Sequence, residues 1–118
     1  MAKIFDMNWI ELNSVEQLDE IAQESKENPV LIYKHSTRCN ISRTALDRLE
    51  RNYKSEEAKG LKTYFLDLLS YRDVSQAVAQ KFDVVHESPQ AIVIKNGKAA
   101  YSASHFEIDY RLLLKHLN

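Results

Sequence analysis

Lys95-Asn96-Gly97-Lys98 separates two short β-prone runs, Ala91-Ile92-Val93-Ile94 and Ala99 to about Ser102. Asn-Gly tolerates the positive φ that a two-residue hairpin turn demands, so these runs must pair antiparallel. Upstream, strand-like and helix-like patterns alternate, and alternation of that kind calls for parallel crossovers. A mixed sheet with helices on both faces satisfies both demands.

The alternation reads as follows. Trp9-Ile10-Glu11-Leu12 is a short strand. Ser14-Val15-Glu16-Gln17 has capping-box spacing, and Val15, Leu18, Ile21 and Ala22 place an amphipathic helix from Ser14 to about Ser25. After the breaker Asn28-Pro29, Val30-Leu31-Ile32-Tyr33 is a continuous apolar run, suited to a strand buried on both faces. Polar His35 to Cys39 forms the loop leaving it. From Asn40 the pattern is helical, with Ile41, Ala45, Leu49 and Tyr53 about four apart, and Gly60 stops the stretch after a ragged Glu56–Lys59 tail. Thr63-Tyr64-Phe65-Leu66 is a third strand. Ser70 is placed to cap a helix whose stripe is Val74, Ala77, Val78 and Phe82. Ser104-His105-Phe106-Glu107 repeats the capping-box pattern ahead of a last helix with Ile108, Leu112, Leu113 and Leu117 inward. The order is β-α-β-α-β-α-β-β-α, an α/β class, in one domain over residues 1–118.

With 16 Lys and Arg against 17 Asp and Glu, the net charge is −1. Nothing in that balance favours nucleic acid or a membrane surface as partner. No segment approaches the ~20 apolar residues of a membrane span. The opening Met1-Ala2-Lys3-Ile4-Phe5-Asp6 lacks the apolar run of a signal peptide, so a cytoplasmic protein is expected. One Cys excludes an internal disulfide, and it excludes a multi-thiolate metal site built by one chain; no metal is expected.

That one Cys, Cys39, falls where a buried strand gives way to a helix. Unpaired N–H groups and the helix dipole favour an anion there, and the thiolate is the nucleophile of sulfur chemistry. Lys34, His35 and Arg38 add positive charge nearby in sequence. A lone Cys can also be a small buried hydrophobe, but flanking Arg38 and Asn40 argue against burial here. Cys39-Asn40-Ile41-Ser42 places Ser42 three residues on, where its hydroxyl can come close to the sulfur and donate a hydrogen bond. A serine cannot close an internal disulfide, so chemistry at Cys39 stops at a mixed disulfide with another molecule.

Val30–Tyr33 followed by Lys34-His35-Ser36-Thr37-Arg38-Cys39-Asn40-Ile41-Ser42 resembles the active-site segment of the monothiol bacilliredoxins, thioredoxin-fold proteins of the bacillithiol redox system. His86-Glu87-Ser88-Pro89-Gln90, the Lys95–Lys98 turn and Ser104-His105 resemble further segments of that family, in the same order. One position departs: the family usually has Pro where Asn40 stands. The resemblance implies a thioredoxin-like fold with a four- to five-stranded mixed sheet and four helices. It implies that Pro89 is cis beside Cys39 and that Ser88 offers backbone groups to a substrate. It also implies a thiol–disulfide oxidoreductase that removes bacillithiol from protein mixed disulfides. Cys39 and Ser42 are then the catalytic pair, and Arg38, Asn40, Ser88 and Pro89 the substrate contacts. Bacillithiol serves as thiol co-substrate, bacillithiolated proteins are the clients, and the protein acts as a monomer.

Two other classes stay open. A glutaredoxin-like iron–sulfur carrier could bridge a cluster between two chains, although Asn40-Ile41 stands where such proteins carry Gly-Phe. A non-catalytic thioredoxin-like binding module would keep its function without Cys39.

Overall fold

The computed structural model describes residues 7–58 and 60–117. The leader reading at residues 1–6 and part of the 56–59 tail lie outside them. The elements are β1 (Ile10–Glu11), α1 (Gln17–Glu24), β2 (Val30–His35), α2 (Asn40–Asn52), β3 (Lys62–Asp67), α3 (Arg72–Lys81), β4 (Gln90–Lys95) and β5 (Lys98–Ser104). A 3-10 turn at His105–Glu107 leads into α4 (Tyr110–Lys115). Element order and the mixed sheet agree with the sequence reading.

Five strands lie in the order β1-β3-β2-β4-β5. β1 and β2 flank β3 in parallel, β4 is antiparallel to β2, and β5 is antiparallel to β4. The hairpin turn has the geometry its residues predict: Asn96 and Gly97 both have positive φ, 53° and 76°. Ser25 at the end of α1 pins it, accepting the Asn96 N–H at 2.9 Å and, through its hydroxyl, the Gly97 N–H at 2.7 Å.

Central β2 is buried along its whole length, so its two faces seed two cores. Leu31 and Tyr33 pack with Ala91 and Val93 of β4, Ala45 and Leu49 of α2, and Tyr110 and Leu113 of α4. Val30 and Ile32 pack with Ile92 and Ile94, Leu18 and Ile21 of α1, and Val74 and Val78 of α3. Full burial of one such large side chain contributes about 1.5–3 kcal/mol. Among the described residues no helix is long and apolar enough to cross a membrane.

Several local expectations change. α1 begins at Gln17, not Ser14, and only half of the capping box forms: Gln17 Oε1 accepts the Asn13 and Ser14 N–H groups, while no side chain caps the helix. Val15 thus precedes the helix and is exposed instead of joining its stripe. Ser70 does not cap α3; its hydroxyl donates to Asp67 Oδ2 at 3.0 Å. Ser104 ends β5 without capping anything, and His105 turns the chain at φ 55°. α2 stops at Asn52, where Tyr53 becomes extended, and Gly60 (φ 76°) closes the loop that follows.

Candidate functional site

β2 runs two residues further than the apolar pattern implied. Lys34 and His35 are strand residues, 0% and 4% exposed, and not loop charges beside the sulfur. Strand alternation sends them to opposite faces. His35 continues the Leu31–Tyr33 face toward α2, and Lys34 continues the Val30–Ile32 face toward α3.

The chain then turns through Ser36–Arg38, and the Cys39 N–H donates back to Ser36 O at 3.2 Å. Cys39 is the N-cap of α2, with extended backbone (φ −114°, ψ 117°), and its carbonyl accepts the Arg43 N–H at 3.2 Å. No side chain caps this end and no acidic residue occupies its first turn. The first N–H groups of the helix therefore lack carbonyl partners, and the helix dipole favours negative charge there. Cys39 is a free thiol, half-buried, between exposed Arg38 and Asn40. This is the placement read from the sequence.

Ser42 behaves differently from the expectation. It is fully buried, and its hydroxyl accepts the Ser36 N–H at 3.1 Å and pairs with His35 Nδ1 at 2.7 Å. Its carbonyl accepts the Tyr33 hydroxyl at 2.9 Å. Among the described residues no hydrogen bond joins Ser42 Oγ to the Cys39 sulfur. The hydroxyl ties the end of β2 to the first turn of α2, and so fixes the turn that carries Cys39. Burial, assisted by Arg43, holds His35 below the ordinary histidine range, so its ring is neutral and can accept at Nδ1. Tyr33 and Phe65 flank that ring at centroid distances of 6.3 and 5.3 Å. Burial likewise pushes the Tyr33 phenol up.

The second wall comes from the start of β4. Gln90 is the cross-strand partner of Lys34, so Pro89 arrives at the end of β2 where the Cys39 turn departs. The Ser88–Pro89 bond is cis, as the resemblance implied, and Pro89 is buried with Ser88 half-buried. Pro89 O accepts the His105 N–H at 3.1 Å. The buried Gln90 side chain closes the preceding loop, donating to Val85 O at 2.9 Å and accepting the Glu87 N–H at 3.3 Å. None of these bonds falls on Ser88.

Sequence reasoning missed the buried lysine behind the site and its exposed partner His86. Lys34 donates to Ser75 O at 3.2 Å and lies 3.1 Å from His86 Nδ1. No local signal marked it, because a polar residue directly after an apolar run reads as loop, and the pairing that extends β2 comes from Gln90 and Asp67 on other strands.

A solved structure described provisionally as an oxidoreductase with a thioredoxin fold is 31% identical, with a TM-score of 0.78 over 92% of this chain and 93% of that one. The thioredoxin of Nicotiana alata superposes with a TM-score of 0.73 at 18% identity, covering all of both chains. The Malassezia sympodialis thioredoxin gives 0.72 at 14% identity, over 100% of this chain and 98% of that one. The latter two likenesses show the fold alone. The sequence itself matches the family of monothiol bacilliredoxin BrxC across residues 10–113. With its one cysteine at the head of α2 and a cis proline leading into β4 beside the end of β2, this chain belongs to the monothiol bacilliredoxin family and carries the thiol-redox framework of the thioredoxin fold.

Proposed function

We propose that the protein removes bacillithiol from protein mixed disulfides by a monothiol route. The observation that carries the reading is Cys39, half-exposed at the N-terminus of α2, with a buried serine where a dithiol enzyme would hold its second cysteine. The Cys39 thiolate attacks the bacillithiol sulfur of the client's mixed disulfide. A new disulfide forms between Cys39 and bacillithiol, the old one breaks, and the client leaves as a thiolate that takes a proton from water. Ser42 cannot displace the adduct. A second bacillithiol from solution attacks the adduct's bacillithiol sulfur, releasing bacillithiol disulfide and the Cys39 thiolate. One mixed disulfide and one bacillithiol thus become one client thiol and one bacillithiol disulfide, so atoms and electrons balance.

Arg38 and Asn40 are exposed beside Cys39 and can contact the small thiol's polar groups. Ser88, left out of the bonds that hold its neighbours, offers its backbone to the client beside Pro89. Exchange is fastest when the attacking sulfur is ionised yet still nucleophilic and open to its partner. Intact mass spectrometry after exposure to bacillithiol disulfide and, separately, glutathione disulfide tests the proposal. The expected result is one bacillithiol on the wild type, none on Cys39→Ser, and slower capture of glutathione. A wild-type protein that never gains the bacillithiol mass overturns it.

A further inference from the structure

Lys34 is a fully buried lysine with no carboxylate against it. Its ammonium has two partners, the Ser75 carbonyl of α3 and His86 Nδ1. The Lys62–Glu24 and Lys81–Asp19 ion pairs lie elsewhere. Lys34 continues the strand face whose preceding residues, Val30 and Ile32, belong to the apolar core that Val74 and Val78 of α3 complete. An ammonium in such a place is costly to desolvate, and an apolar side chain would suit the core better. What the ammonium gains is reach. The Ser75 carbonyl already belongs to a helix, whereas His86 belongs to residues 83–89, which have no regular structure and lead to the cis Ser88–Pro89 bond.

This segment is held from two adjacent points. Gln90 grips Val85 and Glu87, and Lys34 grips His86 between them. Lys34 and Gln90 are partners in the β2–β4 ladder, so one cross-strand pair anchors three consecutive residues of the segment. Ser75 Oγ adds a longer contact to His86 Nδ1 at 3.4 Å. The register of Pro89 against the Cys39 turn is thus tied to a charge buried beneath the sheet.

We infer that Lys34 is a positioning residue for thiol exchange, acting through His86 to hold the Ser88–Pro89 segment across from Cys39. It touches neither the sulfur nor the substrate. The inference rests on the exchange reaction proposed above and names a residue which that reaction does not use directly. The ammonium can only donate, so His86 must leave Nδ1 bare and carry its proton on Nε2. The charged groups facing His86 are Lys34 from β2, Arg72 of α3 across a shallow cleft of about 230 Å³, and Glu87 on its own segment. A proton added at Nδ1 would remove the acceptor and set two cations together.

The test has a kinetic arm and a spectroscopic arm. Lys34→Met keeps the length and the apolar stem, and His86→Leu removes the acceptor. Each should slow release of a client protein from its bacillithiol mixed disulfide about tenfold, the scale of a small misplacement of reacting groups. Because both act through one contact, the double variant should be no slower than either single one. His86→Asn, which keeps an acceptor, should stay within about threefold of wild type on the same scale. Alkylation of Cys39 by iodoacetamide should change less than about twofold, since the α2 N-terminus is untouched. On the wild-type protein alone, the ring carbon and nitrogen shifts of His86 should report the Nε2–H tautomer, which needs no variant to fold. Multiplicative losses in the double variant, a full client rate in Lys34→Met, or a proton on Nδ1 of wild-type His86 each overturn the inference. A wild type that exchanges with glutathione but not bacillithiol clients overturns the proposed substrate instead, and the same Lys34–His86 cycle is then read on the glutathione client.

Discussion

Raising the pH from 7 to 10 should stabilise this protein, and Lys34→Met should abolish that effect. Burial lowers the Lys34 ammonium from its ordinary value of 10.5 to about 8. Between those values the unfolded chain binds a proton at this residue and the folded chain does not. Stability rises with pH wherever the unfolded state binds more protons, so the sign is positive from about pH 8 to 10.5. Each tenfold loss of proton affinity on folding corresponds to about 1.4 kcal/mol, so the gap sets a total of about 3 kcal/mol. Below pH 8 the folded protein carries the full cost of a buried cation. Above pH 10 a second process opposes the gain: burial raises the phenols of Tyr33, Tyr64 and Tyr110 above their ordinary value of 10. Their native protons must be retained while the unfolded chain loses them, and stability falls. The curve should therefore peak near pH 10. Urea unfolding of wild type and Lys34→Met at pH 7, 8, 9 and 10 measures this directly. The difference between the two proteins should shift by about 2–3 kcal/mol in favour of the wild type across that range. Parallel curves would mean that Lys34 does not titrate in this window, and the argument from its burial would be wrong.

Acid should act with the same sign through another group. His35 is held below the ordinary 6.5 by burial, so stability present above pH 6.5 should be lost as pH falls, by at most about 1.4 kcal/mol per pH unit from this one ring; a urea series from pH 7 to 4.5, compared with His35→Asn, checks it. Ser42→Ala leaves the Ser36 N–H and His35 Nδ1 without their partner and should cost about 2–3 kcal/mol in urea unfolding. A loss below about 0.5 kcal/mol would show that this network does not hold the turn. Asn40→Pro should fit without strain, because Cys39 already has the extended backbone favoured before proline and Asn40 is the first helical residue. A gain of about 0.4–1 kcal/mol in thermal or urea unfolding is expected, and any clear loss would contradict the cap geometry.

The local patterns of this chain were enough for its architecture. Asn96-Gly97 dictated an antiparallel hairpin because few other residue pairs accept two positive φ values, and both angles are positive. Val30–Tyr33 announced a strand buried on both faces because no polar residue interrupts it. The loop-to-helix junction at Cys39 was likewise legible, since a continuous apolar run and a polar loop give way there to apolar residues about four apart. Motif likeness carried the cis proline, which no periodicity encodes.

Helix ends were less legible. Ser14, Ser70 and Ser104 all have capping chemistry, yet α1, α3 and the 3-10 turn each start without a side-chain cap. A hydroxyl bonds whatever donor or acceptor the fold brings to it, and for Ser70 that was Asp67. The same reason hid the interior of the site. Lys34 and His35 are polar, and a local reading sends polar residues to solvent. Whether β2 continues through them depends on β3 and β4, whose Asp67 and Gln90 supply the pairing at that end. Sequence alone thus determined the order of the elements, the parallel and antiparallel halves of the sheet, and the place of the thiol. Tertiary structure decided that Ser42 turns inward to His35 and that Lys34 lies beneath the sheet on His86. Those choices depend on partners 7 and 52 residues away in the chain, and only packing brings such partners into reach.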